Sequence, residues 1–338
     1  MNSFKIGSHD FGGQVDGPYI LAEIGLNHNG DFDLARRMID EAVACGVNGV
    51  KFQSYHTAGF LHPDLKAAYE IFQNCELSAE QFQKLKDHTH SQKCDFISTP
   101  LSFDYVQILH EMGADAIKIA SGDMTYYDLI EAVTETKLPV IISSGMASFS
   151  EISDLMEKDF LKDYPCVLLH CISNYPPKLE DINLRVIHTL GEKFDCPVGL
   201  SDHSIGTAIG IASVALGARF IEKHFTVDRE LDGPDQKMSM TPHEMKELVE
   251  RSKDVYKSLG SWEKPEVAAE IPVKEIARRG LYASKTIAGG EVLSNHNSRF
   301  LRPPNSINPA RVSLNHGGFR CLEEIHDSIE DKQIEEAK

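Results

Sequence analysis

The sequence lacks any Cys-x-x-Cys pair, and its seven cysteines (Cys45, Cys75, Cys94, Cys166, Cys171, Cys196 and Cys321) are scattered and odd in number. A fully paired disulfide framework is therefore excluded, and the pattern fits a reduced, cytoplasmic protein. No stretch approaches the ~20 apolar residues that a membrane helix requires. The opening Met1-Asn2-Ser3-Phe4-Lys5 has no apolar core of a signal peptide. Membrane spanning and secretion are accordingly not expected. Positive charge is also scarce: 34 Lys and Arg stand against 51 Asp and Glu, a formal net charge of −17. Such a field repels polyanions and argues against nucleic acids and acidic membranes as partners. An anionic substrate would have to be held by a local cluster of cations and backbone donors.

What the sequence does contain is a set of short apolar runs separated by amphipathic stretches. Eight of them, Tyr19–Glu23, Gly49–Gln53, Phe96–Thr99, Ala116–Ile119, Val140–Ser144, Val167–His170, Pro197–Leu200 and Arg219–His224, read as strands. Eight is the number that closes an α/β (β/α)8 barrel, whose active site lies at the C-terminal ends of the strands. Those ends carry Glu23, Lys51 with Gln53, Thr99, Lys118 with Ser121, Ser143, His170 with Ser173, Ser201 with His203, and Glu222 with His224. With 338 residues and 41% hydrophobic composition, the chain exceeds the ~250 residues of one barrel by enough for a second, smaller module.

The order of signals supports this plan. After Glu23 a turn-rich segment reaches Asp31, which is placed to cap a helix with Ala35, Met38, Ile39, Ala42 and Val43 on its apolar face. The longest early interruption, from Ser54 to about Leu77, lies on the catalytic side and reads as a lid or specificity element. The repeats end with a helix from Pro242 to Leu259. Three regions result: a barrel over 1–262, a linker over 263–277 and a β-rich module over 278–338. The last of these is too small to hold much core unaided. The charged end, Glu330–Lys338, reads as frayed.

The strongest local signal is Gly199-Leu200-Ser201-Asp202-His203 followed, one unit later, by Glu222-Lys223-His224. Either histidine alone reads as a hydrogen-bonded loop residue. Two of them on adjacent strand ends, beside Glu222 and Asp202, can share a divalent ion and leave positions open for water and substrate oxygens. Lys51 and Lys118 end apolar strands, where a cation needs an anionic partner. That partner is either an internal carboxylate such as Glu23, or a phosphate or carboxylate gripped jointly with Thr99, Ser121, Ser143 and neighbouring backbone N–H groups. Glu23 is either an acid or base in its own right or an orienter of Lys51. Asn27, His28 and Asn29 either contact substrate or build the first turn. Tyr175, beside Pro176, either meets a sugar or simply packs.

Nine motifs in order, A-E-I-G-x-N-H-N-G at Ala22–Gly30, V-K-F-Q at Val50–Gln53, S-T-P at Ser98–Pro100, I-K-I-A-S-G-D at Ile117–Asp123, S-S-G-M at Ser143–Met146, H-C at His170–Cys171, G-L-S-D-H, E-K-H-F-T at Glu222–Thr226 and G-P-D at Gly233–Asp235, resemble the sialic acid synthase family. The tail, with A-R-R-G-L-Y-A-S at Ala277–Ser284, G-G-E-V-L at Gly289–Leu293 and L-R-P-P at Leu301–Pro304, resembles that family's antifreeze-like (SAF) domain, a β-clip fold.

The resemblance implies condensation of phosphoenolpyruvate with an N-acylated amino hexose to give a nine-carbon 2-keto acid. It implies that Lys51, Thr99, Lys118, Ser121, Ser143, Ser173 and Ser201 bind phosphoenolpyruvate. His203 and His224 would hold a divalent metal, Mn2+ or else Mg2+ or Co2+, with Glu23 and Glu222 beside the reacting atoms. Gln53, Asp123, Tyr175, Phe225 and Asp235 would line the amino-sugar side, and Arg302 would come from the partner subunit of a domain-swapped homodimer. Asp123 stands where bacterial N-acetylneuraminate synthases usually have Glu, and Ser173 where they often have Asn. The Ser54–Glu76 loop is also shorter than theirs, so legionaminic- and pseudaminic-type acceptors stand beside N-acetylmannosamine. The other readings are a metal-dependent aldolase or 3-deoxy-keto-acid synthase acting on a sugar phosphate, and a carbohydrate-binding protein without turnover.

Overall fold

The computed structural model describes residues 3–13, 15–315 and 318–337. Met1, Asn2 and Lys338, which figure in the reading of the termini, lie outside the described residues. Eight parallel strands close into a barrel: β1 (Tyr19–Gly25), β2 (Gly49–Ser54), β3 (Asp95–Pro100), β4 (Ala116–Ile119), β5 (Val140–Ser143), β6 (Cys166–Cys171), β7 (Val198–Asp202) and β8 (Phe220–His224). Closure is made by β8 on β1, with Phe220 opposite Tyr19 and His224 opposite Glu23. The fold is the (β/α)8 barrel that the eight apolar runs predict.

Side chains alternate between the two faces of a strand, and this alternation builds the molecule. Ile20, Ala22 and Ile24 of β1, with Val50 and Phe52 of β2, face outward and pack beneath the helices in the main core. Tyr19 and Leu21 face inward, where they meet Ile97, Ala116, Ile141, Val167, Leu169 and Phe220 in a separate apolar cluster. Ile6 and Phe11 join this cluster from the N-terminal hairpin that pairs Lys5–Ile6 with His9–Asp10, so the lower barrel is plugged. Tyr19 stacks on Phe220 at 4.8 Å, and its hydroxyl donates to Asp95 at 2.8 Å. The next inward layer, toward the strand ends, is polar.

Several expectations are corrected in detail. The β7 ladder continues past Leu200, through Ser201 and Asp202, because Glu222 and Lys223 of β8 pair with them. The Ser54–Leu77 interruption contains helices Thr57–Phe60 and Lys66–Cys75. It is tied down by a Tyr55, Phe60 and Phe72 cluster with ring centroids 5.0–5.3 Å apart, and by Glu76, which accepts from the Thr57 N–H and hydroxyl at 2.9 and 2.7 Å. Asp31 caps the helix Phe32–Ala44 by accepting from the Asp33 and Leu34 N–H groups, as expected, and Ala35, Met38, Ile39 and Ala42 are buried.

The chain divides into two compact units, one reaching Gly260 and one running from Ser261. Part of the segment read as linker is the helix Ile271–Ala277. The second unit has two short antiparallel pairs, Gly280–Ala283 with Ser298–Leu301 and Phe319–Cys321 with Ile334–Glu336. It has its own core around Leu281, Ile287, Leu293, Ile307, Phe319 and Ile329. The terminus read as frayed therefore contributes a strand, with Ile334 buried in that core. Among the described residues no helix is long and apolar enough to cross a membrane, and all seven cysteines are free and buried.

Gly199 on β7 has no room for a side chain: a Cβ there would lie 2.2 Å from the Phe220 carbonyl oxygen and 2.7 Å from Leu169. Gly199→Ala is expected to lower stability by about 1–3 kcal/mol through overpacking, read by thermal or denaturant unfolding. An unchanged midpoint would show that the β7–β8 spacing is not fixed there.

Candidate active site

The polar inward layer is the candidate site. A cavity of about 330 Å³ opens at the C-terminal ends of the strands, lined by Glu23, Lys51, Gln53, Thr99, Lys118, Ser121, Ser143, Ser173, Tyr175, Ser201, His203, Glu222 and His224. Glu23 and Lys51 are register partners on β1 and β2, and the Lys51 ammonium lies 2.6 Å from a Glu23 carboxylate oxygen. Lys51 Nζ also donates to Thr99 Oγ1 at 3.0 Å, and Gln53 Nε2 to Glu23 Oε1 at 3.3 Å. On the other side Lys118 Nζ donates to Ser143 Oγ at 2.6 Å and to the Ile119 carbonyl at 3.0 Å, and it stands 3.9 Å from Glu222. Ser201 Oγ donates to Glu222 at 2.9 Å.

Two acids and two lysines thus share a buried layer, and their protonation is set jointly. Burial, opposed by Lys51 and reinforced by Glu222, pushes the Glu23 carboxyl up to about 7. Burial also acts against the charge on Glu222, but Lys118 and Lys51 outweigh it and hold that carboxyl below its usual range. Burial works against the Lys51 ammonium, yet Glu222 and Glu23 raise it. For Lys118 burial wins over Glu222, and its ammonium is lowered. Of the two acids, Glu23 is the one able to exchange a proton near neutrality.

Beside this layer stand the two histidines, ring centroids 5.4 Å apart, with Tyr175 4.1 Å from His203 and 6.1 Å from His224. His203 Nδ1 lies 3.0 Å from the Ile172 carbonyl. A carbonyl only accepts, so Nδ1 carries a proton, and in the neutral ring the lone pair then sits on Nε2. His224 is neutral, its imidazole held well below the usual range by burial and by the nearby His203 and lysines. Its Nδ1 is buried without a hydrogen-bond partner. No group of three or more His, Cys, Asp or Glu converges as a ready-made cage among the described residues. The two imidazoles are donors of the kind a divalent ion takes, and an ion held by them would leave its remaining positions to water and substrate oxygens.

Three site residues expected from the barrel itself, Phe225, Asp123 and Asp235, do not line the cavity. Phe225 is fully buried in the main core; only its backbone serves the site, its N–H donating to the Glu23 carbonyl at 2.7 Å. The reason is parity, since Phe225 is out of phase with His224 on the strand. Asp123 is half-buried in the short 3-10 turn after β4. Asp235 stands 3.8 Å from His224 Nδ1 with its carboxyl raised by burial. Arg302 is exposed in the second unit.

Parity also corrects His170, which faces away from the barrel interior and donates from Nε2 to the Ile182 carbonyl at 2.6 Å. Cys171 lines the cavity instead, along with Leu101, Ala120, Gly122 and Met146. Counting in steps of two from Leu169 would have found it. Asn27, His28 and Asn29 build the first turn. Asn27 Nδ2 donates to the Phe225 carbonyl and to Ser239 Oγ, both at 2.8 Å, and Asn29 Nδ2 donates to the Asp232 carbonyl at 2.6 Å. His28 Nδ1 accepts from the Gly30 N–H at 3.0 Å.

The chain is similar to known proteins along most of its length. It is 44% identical over 317 residues to an uncharacterized protein of Methanocaldococcus jannaschii, covering 93% of each chain. It is 35% identical over 314 residues to the N,N'-diacetyllegionaminic acid synthase of Legionella pneumophila, covering 87% of this chain and 88% of that one. The crystal structure of an N-acetylneuraminic acid (sialic acid) synthetase from Leptospira borgpetersenii, in complex with citrate, superposes with a TM-score of 0.75 at 37% identity, covering 80% of this chain and 95% of the other. The NeuB family matches residues 38–264. Barrel, site layer and sequence agree, and this chain belongs to the NeuB family.

Proposed function

We propose that this protein is a nonulosonic acid synthase that condenses phosphoenolpyruvate with an N-acylated amino hexose. The carrying observation is the convergence, in one cavity, of Lys51 and Lys118 with the hydroxyls of five Ser and Thr residues, a carboxyl poised near 7 and two imidazoles. The relatives named as sialic and legionaminic acid synthases support the same reading. In a chain of net charge −17, the two lysines and the hydroxyls of Thr99, Ser121, Ser143, Ser173 and Ser201 provide the local counter-field for phosphate and carboxylate. Gln53 and Tyr175 take the amino-sugar side.

C3 of phosphoenolpyruvate bonds to the aldehyde carbon, and the aldehyde oxygen takes the Glu23 proton. Water adds at C2 and returns one proton to Glu23; the C2–O bond then breaks, and the second proton leaves with phosphate. A divalent ion on His203 and His224, Mn2+ or else Mg2+ or Co2+, supplies Lewis-acid polarisation of the aldehyde oxygen when bound. Arg302 acts in the site of a partner subunit within a domain-swapped homodimer.

Phosphate release from phosphoenolpyruvate with Mn2+ is the direct test, using N-acetylmannosamine, 2,4-diacetamido hexoses and an aldose phosphate as acceptors. Release with an amino sugar is expected; release only with the aldose phosphate would move the chain to the sugar-phosphate synthases. His203→Ala and His224→Ala should each lose Mn2+ binding and nearly all turnover, and retained turnover in either would sink the metal assignment. Because Glu23 must be protonated to donate, kcat/KM should fall as pH rises through about 7. Glu23→Gln should cost roughly 10²–10⁴-fold in kcat, its residual activity lacking that limb; the same limb in the variant would assign the proton elsewhere. A 1–262 fragment should fold and yet be nearly inactive, whereas full turnover by it would refute the role given to Arg302.

A further inference from the structure

Asp202 and Lys223 belong to the two motifs that carry the site histidines, yet neither side chain enters the cavity. Each is one residue out of phase with its histidine and so faces outward from β7 or β8. There they meet. Lys223 Nζ donates to Asp202 Oδ2 at 2.7 Å, to the Ser204 carbonyl, and to Ser204 Oγ at 3.3 Å. Asp202 Oδ1 accepts from the Ser204 N–H at 2.8 Å. Asp202 is 4% exposed, Lys223 1% and Ser204 1%. All three ammonium protons find a buried acceptor.

Stability alone gives no reason for this arrangement. A buried ion pair of good geometry is usually no more stabilising than well-packed apolar residues of the same volume. What the pair does is geometric: it grips the turn on both sides of His203, through the Asp202 side chain before it and the Ser204 backbone after it. That turn must stay fixed for His203 Nδ1 to meet the Ile172 carbonyl at 3.0 Å, the contact that presents Nε2 to the cavity. On β8 the same lysine precedes His224, whose carbonyl accepts from the Met240 N–H at 2.7 Å. One buried contact thus ties together the two strand ends that carry the imidazoles.

We infer that the Asp202–Lys223 pair, with Ser204, is a positioning device that sets the ring orientation of His203 relative to His224. Asp202 and Lys223 are positioning residues and not ligands, although Asp202 adjoins His203 in sequence. The inference rests on the proposed role of the two histidines, and its test separates the two.

Two measurements on the full chain read it: ring nitrogen spectra of ¹⁵N-histidine protein without metal, and Mn2+ binding by equilibrium dialysis. The His203 signal is assigned by its loss in His203→Asn. In the wild type His203 should carry its proton on Nδ1. Lys223→Met should convert that signal to mixed tautomers and weaken Mn2+ binding roughly 10–100-fold, as loss of an orienting group around a metal ligand does. Tyr19→Phe, which removes a partly buried bond to Asp95 at the opposite end of the barrel, should change neither readout. This separates positioning from general destabilisation. If Lys223→Met does not fold, Asp202→Asn with Lys223→Met leaves no unpaired charge and carries the test. An unaltered His203 spectrum with a Mn2+ Kd within about twofold of wild type in the folded variant would overturn the inference. Failure of the wild type to bind Mn2+ would overturn the metal assignment, and the His203 spectra would still decide the positioning role.

Discussion

Four ionisable groups, Glu23, Lys51, Lys118 and Glu222, occupy one buried layer of the barrel and have to neutralise one another there. None can be removed without leaving an uncompensated charge in a low-dielectric interior. The 2.6 Å approach of Lys51 to Glu23 and the 3.9 Å approach of Lys118 to Glu222 are the consequence. So is the unequal fate of the two carboxyls, one pushed toward neutrality and the other held ionised. An anion entering this layer changes that balance, so binding and proton availability are coupled through the same charges.

The layer rests on an apolar cluster that fills the lower barrel. The stack of Tyr19 on Phe220, with Ile6 and Phe11 brought in by the N-terminal hairpin, blocks the lower barrel. On the catalytic side the β2 loop is folded on its own aromatic cluster and pinned by Glu76. The first turn is fixed through Asn27 to the segment after β8. Loops that would otherwise be free to move are thus anchored by buried polar contacts, which is how an active-site geometry built on rigid strands is carried outward to its rim.

Much of this could be read from residue order. The apolar runs ended in the polar residues that now line the cavity, and Lys51, Lys118, His203 and His224 stood out because charge or imidazole at the end of an apolar strand needs a partner. Parity accounts for two of the departures. His170 and Phe225 were singled out by chemistry or by resemblance, but each sits one residue out of phase with the cavity, while Cys171 was passed over although its phase was right. Asp202 drew notice as an acidic neighbour of a histidine and is turned away to meet Lys223. The strand at Ile334–Glu336 was hidden because a short charged segment carries no periodic signal, and its pairing with Phe319–Cys321 is distant in sequence.

By itself the sequence determined the number of strands, their parallel order and the side of the barrel on which chemistry would lie, because hydrophobic period and strand-end polarity are local properties. Only the tertiary structure decided which of two adjacent polar residues faces the cavity, since that depends on the register in which eight strands close. It alone decided which carboxyl keeps its proton, because the shift on Glu23 is produced by burial and by charges on three other strands that no local pattern places beside it.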